Sequence, residues 1–263
     1  MKQQALYETL WQAGQGREED IVLRCGDKSL SYGALFQGIL QAEAGLRALG
    51  VGPGELVTLF SLNTPEAVMA FYAIDRIGAV ANWVDMKVSP AEVEEYLTQA
   101  GSRVALVLEV AFSKVYHHRG KALTQHFVVL PLAPYVAPEL EGKLHLNTWQ
   151  QGAGPDCLSW ADFLRPPAQV PPEADRWEEP VAITYTGGTT GPAKGVVLSR
   201  RSFAWALEYY TRAETEYGRG GFALVLLPLF AVFGLSQCLH TPLSLGMGVI
   251  LCPMFRPHDL GEM

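Results

Sequence analysis

The 263-residue chain lacks any paired-cysteine signature. Its four cysteines, Cys25, Cys157, Cys238 and Cys252, show neither a C-x-x-C pair nor a metal-ligand spacing. That excludes a disulfide-stapled scaffold or a zinc ribbon and fits a reducing, cytoplasmic setting. Positive charge is also scarce: 20 Lys and Arg stand against 27 Asp and Glu, a net charge of −7. A broad nucleic-acid-binding face needs the opposite balance. The first residues, Met1 to Glu8, carry no apolar core of a secretory leader. Between Gly220 and Phe255 there is no Asp, Glu, Lys or Arg at all. Pro228, Gly234, Pro242, Gly246 and Gly248 interrupt that stretch, so no clean run of about twenty apolar residues remains for a membrane helix. No internal repeat and no G-x-S-x-G nucleophile elbow is visible. The histidines are scattered, and adjacent His117 and His118, beside Arg119 and Lys121, read as a solvated basic face.

What is present is a well-filled α/β chain. Hydrophobic residues make up 49% and charged residues 18%, enough for one or two domains with a large core. Strand and helix patterns alternate over the first three-fifths, the pattern of a sheet covered by helices. Leu6–Gln12 reads as an amphipathic helix, Ile21–Arg24 and Ser29–Ser31 as a hairpin, and Tyr32–Leu49 as a helix ended by Gly50 to Gly54. Leu56–Leu62 is a nearly all-apolar strand, as expected when both faces are covered. Thr64 caps the next helix, with Pro65 at its first position, and the helix runs to Ile77. Ala79–Val84 is a strand, Ser89-Pro90-Ala91-Glu92 a capping box, and Val104–Leu108 and Phe127–Leu130 are strands. A Pro-, Gly- and acid-rich stretch follows, in which 165–179 reads as a surface connection. Beyond it, Arg201–Thr215 is expected to be helical, Phe222–Leu227 a strand, Phe230–Leu245 mostly helical and Gly248–Cys252 a strand. Asp75, Arg76 and Asp85 read as structural, Cys238 and Cys252 as small core residues, and Phe230 and Phe233 as core in the first instance.

The most informative segment is Tyr185-Thr-Gly-Gly-Thr-Thr-Gly-Pro-Ala-Lys194-Gly-Val196. Thr186, Gly187, Gly188, Thr189, Thr190, Gly191 and Lys194 place three glycines, three threonines and a lysine within nine residues, between two apolar runs expected to be buried strands. Glycine lets the backbone approach a ligand closely. Successive amides form a concave anion site. The hydroxyls add donors, and Lys194 supplies a mobile point charge. The pattern is not G-x-x-x-x-G-K-[ST], because Gly195 follows the lysine. The residues therefore predict a polyphosphate cradle of another kind.

This loop resembles the signature of the adenylate-forming enzymes, Tyr-Thr-Ser-Gly-Thr-Thr-Gly-x-Pro-Lys-Gly, with Gly187 at the usual serine and Ala193 at the usual proline. The Thr-Gly-Gly-Thr-Thr-Gly variant is familiar from long-chain fatty acyl-CoA synthetases. Leu227 to Gly234 resembles the family's Pro-Leu-Phe-His-x-x-Gly segment, with Ala231 at the histidine position. Asn63-Thr-Pro-Glu66 and Ala79–Asp85 resemble its amino-terminal core. The resemblance implies mostly parallel sheets layered with helices, and activation of a carboxylic acid by ATP followed by capture on coenzyme A. It implies that Thr186 to Gly191 and Lys194 hold the nucleotide, with Lys194 and Thr186 catalytic and Thr186 helping to seat Mg²⁺. It places Phe230, Ala231, Phe233 and Gly234 in the wall of the acid pocket, where the small Ala231 favours a fatty acid.

On the same basis the chain is expected to be a partial amino-terminal domain. A first α/β subdomain would span 1–164, a connection 165–180, and the phosphate-loop strand with the start of a second subdomain 181–263. The family's later Tyr-Gly-x-Thr-Glu segment, its ribose-gripping aspartate and its carboxy-terminal domain are not found in the sequence. Turnover by these residues alone is therefore not expected. A homodimer stays open. So do two other readings: an adenylation domain or aryl-acid ligase that loads a carrier protein, and a non-catalytic nucleotide-binding remnant.

Overall fold

The computed structural model describes residues 5–167, 177–186, 193–212 and 220–254. Among them two sheets enclose a helical layer. The order begins α1 (Leu6–Gly14), β1 (Ile21–Cys25), β2 (Lys28–Ser31), α2 (Tyr32–Ala48), β3 (Leu56–Phe60), α3 (Pro65–Ile77) and β4 (Val80–Trp83). It continues with α4 (Pro90–Ala100), β5 (Val104–Leu108), α5 (Glu109–His117), β6 (His126–Leu130), α6 (Pro138–Glu141), β7 (Cys157–Ser159) and α7 (Trp160–Phe163). Then come β8 (Pro180–Thr186), β9 (Lys194–Ser199), α8 (Arg200–Arg212), β10 (Phe222–Val225), a π-helix (Gly234–His240), α9 (Thr241–Ser244) and β11 (Gly248–Leu251).

The larger sheet runs β7-β6-β5-β3-β4-β8-β9. All its neighbours are parallel except the final pair, where β9 turns back antiparallel on β8. The smaller sheet runs β10-β11-β1-β2, with only β2 antiparallel. The expected fold class, mostly parallel sheets layered with helices, is what the chain adopts. β8 and β9 extend the sheet of β3 to β7, while β11 pairs with β1 and β10 with β11. Long crossovers are the ordinary consequence of parallel pairing.

Helix α3 explains why the layers hold together. All thirteen of its residues are buried, so it is covered all round rather than amphipathic. Thr64 accepts from the Ala67 amide and Pro65 opens the helix, as the sequence predicts. Three charged residues on a fully buried helix, Glu66, Asp75 and Arg76, each need a partner. Asp75 takes Arg200 at 2.8 Å, and Arg76 takes Glu43 at 2.5 Å. Glu66 takes a hydrogen bond from the Tyr135 hydroxyl at 2.6 Å. Asp75 and Arg76 are thus structural, as expected. Asp85 accepts from the Lys87 amide at 2.8 Å and shapes a turn.

Three expectations need correction. The signature hairpin does not lie between two buried strands: β9 is a sheet edge with Lys194, Gly195 and Val197 exposed, because only β8 pairs with it. Helix α5 and strand β7 were not expected, as short stretches of mixed polarity leave little period to read. Phe233 is not core: it is 55% exposed.

Candidate active site at the carboxyl edge of the sheet

Strand β8 runs parallel to β4, so its last residue, Thr186, lies at the carboxyl edge of the parallel strands. In open α/β sheets ligands bind outside that edge. The ladder with β9 closes on Thr186 opposite Lys194 and Tyr185 opposite Gly195, and the Thr186 hydroxyl faces the Lys194 carbonyl at 3.4 Å. Both Thr186 and Lys194 are exposed. Among the described residues the Lys194 ammonium makes no hydrogen bond or ion pair. Gly187, Gly188, Thr189, Thr190 and Gly191, the middle of the predicted cradle, lie outside the described residues. The structure therefore brings the two flanking members together across one rung and defines the rim from which the loop departs.

Among the described residues, no group of three or more His, Cys, Asp or Glu is arranged to hold a metal ion. A single threonine hydroxyl is not a metal cage. Mg²⁺ characteristically binds through one or two protein groups together with substrate phosphates, and an exposed Thr186 suits only that mode.

The second predicted segment, Phe230 to Gly234, enters the π-helix. Phe230 is partly buried against the core, Ala231 is half-buried, and Gly234 is buried. Only glycine fits at 234, because an ideal Cβ there would stand 2.1 Å from the Pro228 carbonyl oxygen. Exposed Phe233 and Val232 form an apolar ridge. π-Turns are often found at functional sites. The residue that sequence reasoning missed here is Asn63. It is 2% exposed, its amide donates to the Val225 and Leu227 carbonyls at 3.0 and 3.1 Å, and its oxygen accepts from the Leu229 amide at 3.0 Å. It pins the approach to Phe230 onto the start of α3. The visible signal was an asparagine directly before the Thr64-Pro65 helix start.

His240 closes the π-helix. It is buried, with Nδ1 3.1 Å from the Tyr72 hydroxyl and Nε2 3.2 Å from the Ser244 hydroxyl. Burial pushes its pKa down to about 3, so the imidazole stays neutral. Burial likewise raises the Cys238 thiol, which argues against a nucleophile. An open groove of about 560 Å³ follows α8, lined by Trp205, Glu208, Tyr209 and Arg212. No helix among the described residues is long and apolar enough to cross a membrane.

The described site is the end of β8 at the carboxyl edge of a parallel sheet, with Lys194 opening the antiparallel return strand β9. The AMP-binding enzyme family model matches residues 10–263, and the chain belongs to that family. It is 31% identical over 230 residues to 4-coumarate–CoA ligase 2 of Oryza sativa subsp. japonica, covering 85% of this chain and 38% of that protein. It is 24% identical over 247 residues to the long-chain-fatty-acid–CoA ligase of Bacillus subtilis (strain 168), covering 88% and 43%. Among solved structures it superposes on the anthranilate CoA ligase AuaEII, in complex with anthranoyl-AMP, with a TM-score of 0.83 at 23% identity, over 97% of this chain and 46% of that one. The N-terminal domain of FACL13 from Mycobacterium tuberculosis gives 0.79 at 21% identity, over 98% and 59%. The chain thus spans well under half the length of these two curated relatives.

Proposed function

We propose that this chain is the nucleotide-gripping part of an acid–CoA ligase, in which ATP activates a carboxylic acid for transfer to coenzyme A. One observation carries the reading: Lys194 and Thr186 face each other across the last rung of β8 and β9, at the carboxyl edge of a parallel sheet, with the lysine unpaired among the described residues. In the reaction a carboxylate oxygen attacks the α-phosphorus of ATP, an acyl–phosphate bond forms, and the bond to pyrophosphate breaks. The thiol of coenzyme A then displaces AMP. Negative charge gathers on the departing pyrophosphate, and a preorganised cation and donors aimed there lower the barrier. Lys194 supplies the cation, Thr186 a hydroxyl, and Gly187 to Gly191 the amides. Mg²⁺ would shield the phosphates, with Thr186 its one candidate protein contact.

The acid lies against the segment of Phe230, Ala231, Phe233 and Gly234, whose exposed member is Phe233. A wall from a segment with no formal charge, whose one histidine is neutral, suits an apolar acid. The small Ala231 leaves room for a fatty acyl chain, while relatives named for coumarate and anthranilate keep an aryl acid as the second reading. The test is calorimetric titration of the protein with Mg·ATP. Lys194→Ala is expected to weaken binding by at least about tenfold, the range for a charge-assisted hydrogen bond. Equal affinity in both proteins would overturn the assignment.

A further inference from the structure

The residue before the loop is held by a chain of buried side chains that crosses the sheet. The Tyr185 hydroxyl donates to Asn82 Oδ1 at 2.8 Å, Asn82 Nδ2 donates to Thr58 Oγ1 at 3.1 Å, and Thr58 Oγ1 lies 2.6 Å from Ser102 Oγ. Asn82, Thr58 and Ser102 are 0%, 0% and 1% exposed. They come from β4, β3 and the turn before β5, so the chain is tied to the centre of the sheet. On its other side the Tyr185 ring meets Tyr96 of α4 edge-on, centroids 4.6 Å apart. Tyr185 is the cross-strand partner of Gly195, and its ring lies beside it: an ideal Cβ there would sit 3.4 Å from Tyr185 Cε1 and 3.3 Å from Ile183 Cγ2. Gly195 is the neighbour of Lys194, and Tyr185 the neighbour of Thr186. The Tyr185–Gly195 pair is thus the rung directly behind the one from which the loop leaves.

An asparagine on an interior, fully buried strand of a parallel sheet is costly unless its amide is satisfied. Here that requirement is met by the tyrosine at the loop's root. We propose that Asn82 is a positioning residue for the phosphate loop, acting through the Tyr185 ring to fix the backbone at Thr186 and Lys194. This rests on the nucleotide assignment above for its effect on binding, but its effect on the hairpin stands alone. A side chain locked by buried hydrogen bonds is what holds a binding group within the tolerance that recognition needs.

The test compares the wild type with Tyr185→Phe, Asn82→Ala and the double variant. Tyr185→Phe keeps the ring and removes one hydroxyl, so it guards against Asn82→Ala failing to fold. Two measurements are made: amide exchange along the hairpin, and affinity for Mg·ATP. Each single variant is expected to speed exchange at the ladder-bonded amides of the last two β8–β9 rungs about tenfold, with β5 and β6 unchanged, and to weaken Mg·ATP about tenfold. The double variant should do no worse than the poorer single one, because both break the same link. Unchanged exchange at the rung, or faster exchange spread evenly over the sheet, overturns the proposal. So does unaltered nucleotide affinity in a variant whose hairpin has loosened. If the wild type binds no Mg·ATP, the nucleotide reading falls, and exchange at the rung still decides whether Asn82 holds the hairpin.

Discussion

Asp75→Asn is expected to cost the fold about 3–5 kcal/mol, the range for breaking a buried ion pair from one side. Asp75 is fully buried and accepts three hydrogen bonds from two residues. Arg200 Nε donates to Oδ1 at 2.8 Å, the Tyr7 amide donates to Oδ2 at 3.0 Å, and Arg200 Nη2 donates to the Asp75 backbone carbonyl at 2.8 Å. The asparagine leaves a guanidinium that is 5% exposed with no opposing charge. Neighbouring Arg201 provides the contrast. Its pair with Glu178 at 2.7 Å joins side chains that are 48% and 66% exposed, and such pairs contribute about 0–1 kcal/mol. Urea unfolding of Asp75→Asn and Glu178→Gln should therefore give a large fall in midpoint for the first and almost none for the second. A loss under about 1 kcal/mol at Asp75 would show that the pair's desolvation nearly cancels its attraction. The pair joins α3 to the start of α8, directly after β9, so it anchors the end of the hairpin ladder opposite the rung beside Tyr185.

The difference between those two arginines was not legible in the sequence. Arg200 and Arg201 are adjacent and chemically identical, and only the fold turns one inward to Asp75, 125 residues away. The same holds for Asn82, which interrupts an apolar strand without saying why; its partner, Tyr185, is more than a hundred residues further on. Local signals fared better. The Thr64 cap with Pro65 and the Ser89–Glu92 capping box appear as predicted, because each is satisfied within four residues. Family membership was legible for a different reason: the signature segment carries a combination of glycines, threonines and a lysine specific enough to mark the AMP-binding enzymes. The π-turn at Gly234–His240 was not, since an apolar helical stretch looks alike with either hydrogen-bond register. Nor was the exposure of Phe233, which apolar patterning assigned to the core and the structure turns outward.

A second large effect is expected from pH. Glu66 lies in the first turn of α3, 7% exposed. One carboxyl oxygen accepts from the Tyr135 hydroxyl at 2.6 Å, while the other is buried with no hydrogen-bond partner among the described residues. The neighbouring titratable groups are the Tyr135 phenol and the Cys25 thiol. Cys25 is itself raised by burial first, then by the Glu66 charge and by Cys252. No cation offsets the carboxylate there. Burial raises its pKa from 4.5 to about 7, outweighing the hydrogen bonds that lower it. A raised acid pKa means the folded state holds the proton more tightly than the unfolded one. The stabilisation is fully present below about pH 4.5 and is lost as pH rises through about 7. The group should thus cost roughly 3 kcal/mol of stability between pH 4.5 and pH 8. Glu66→Gln keeps an acceptor for Tyr135 and places a neutral amide where the protonated oxygen sits. Unfolding free energies of both proteins at pH 5 and pH 8 isolate the term. The variant should match the wild type within about 1 kcal/mol at pH 5 and exceed it by roughly 2–3 kcal/mol at pH 8. A gap between the two proteins that does not change with pH would mean that Glu66 is ionised in the fold across this range.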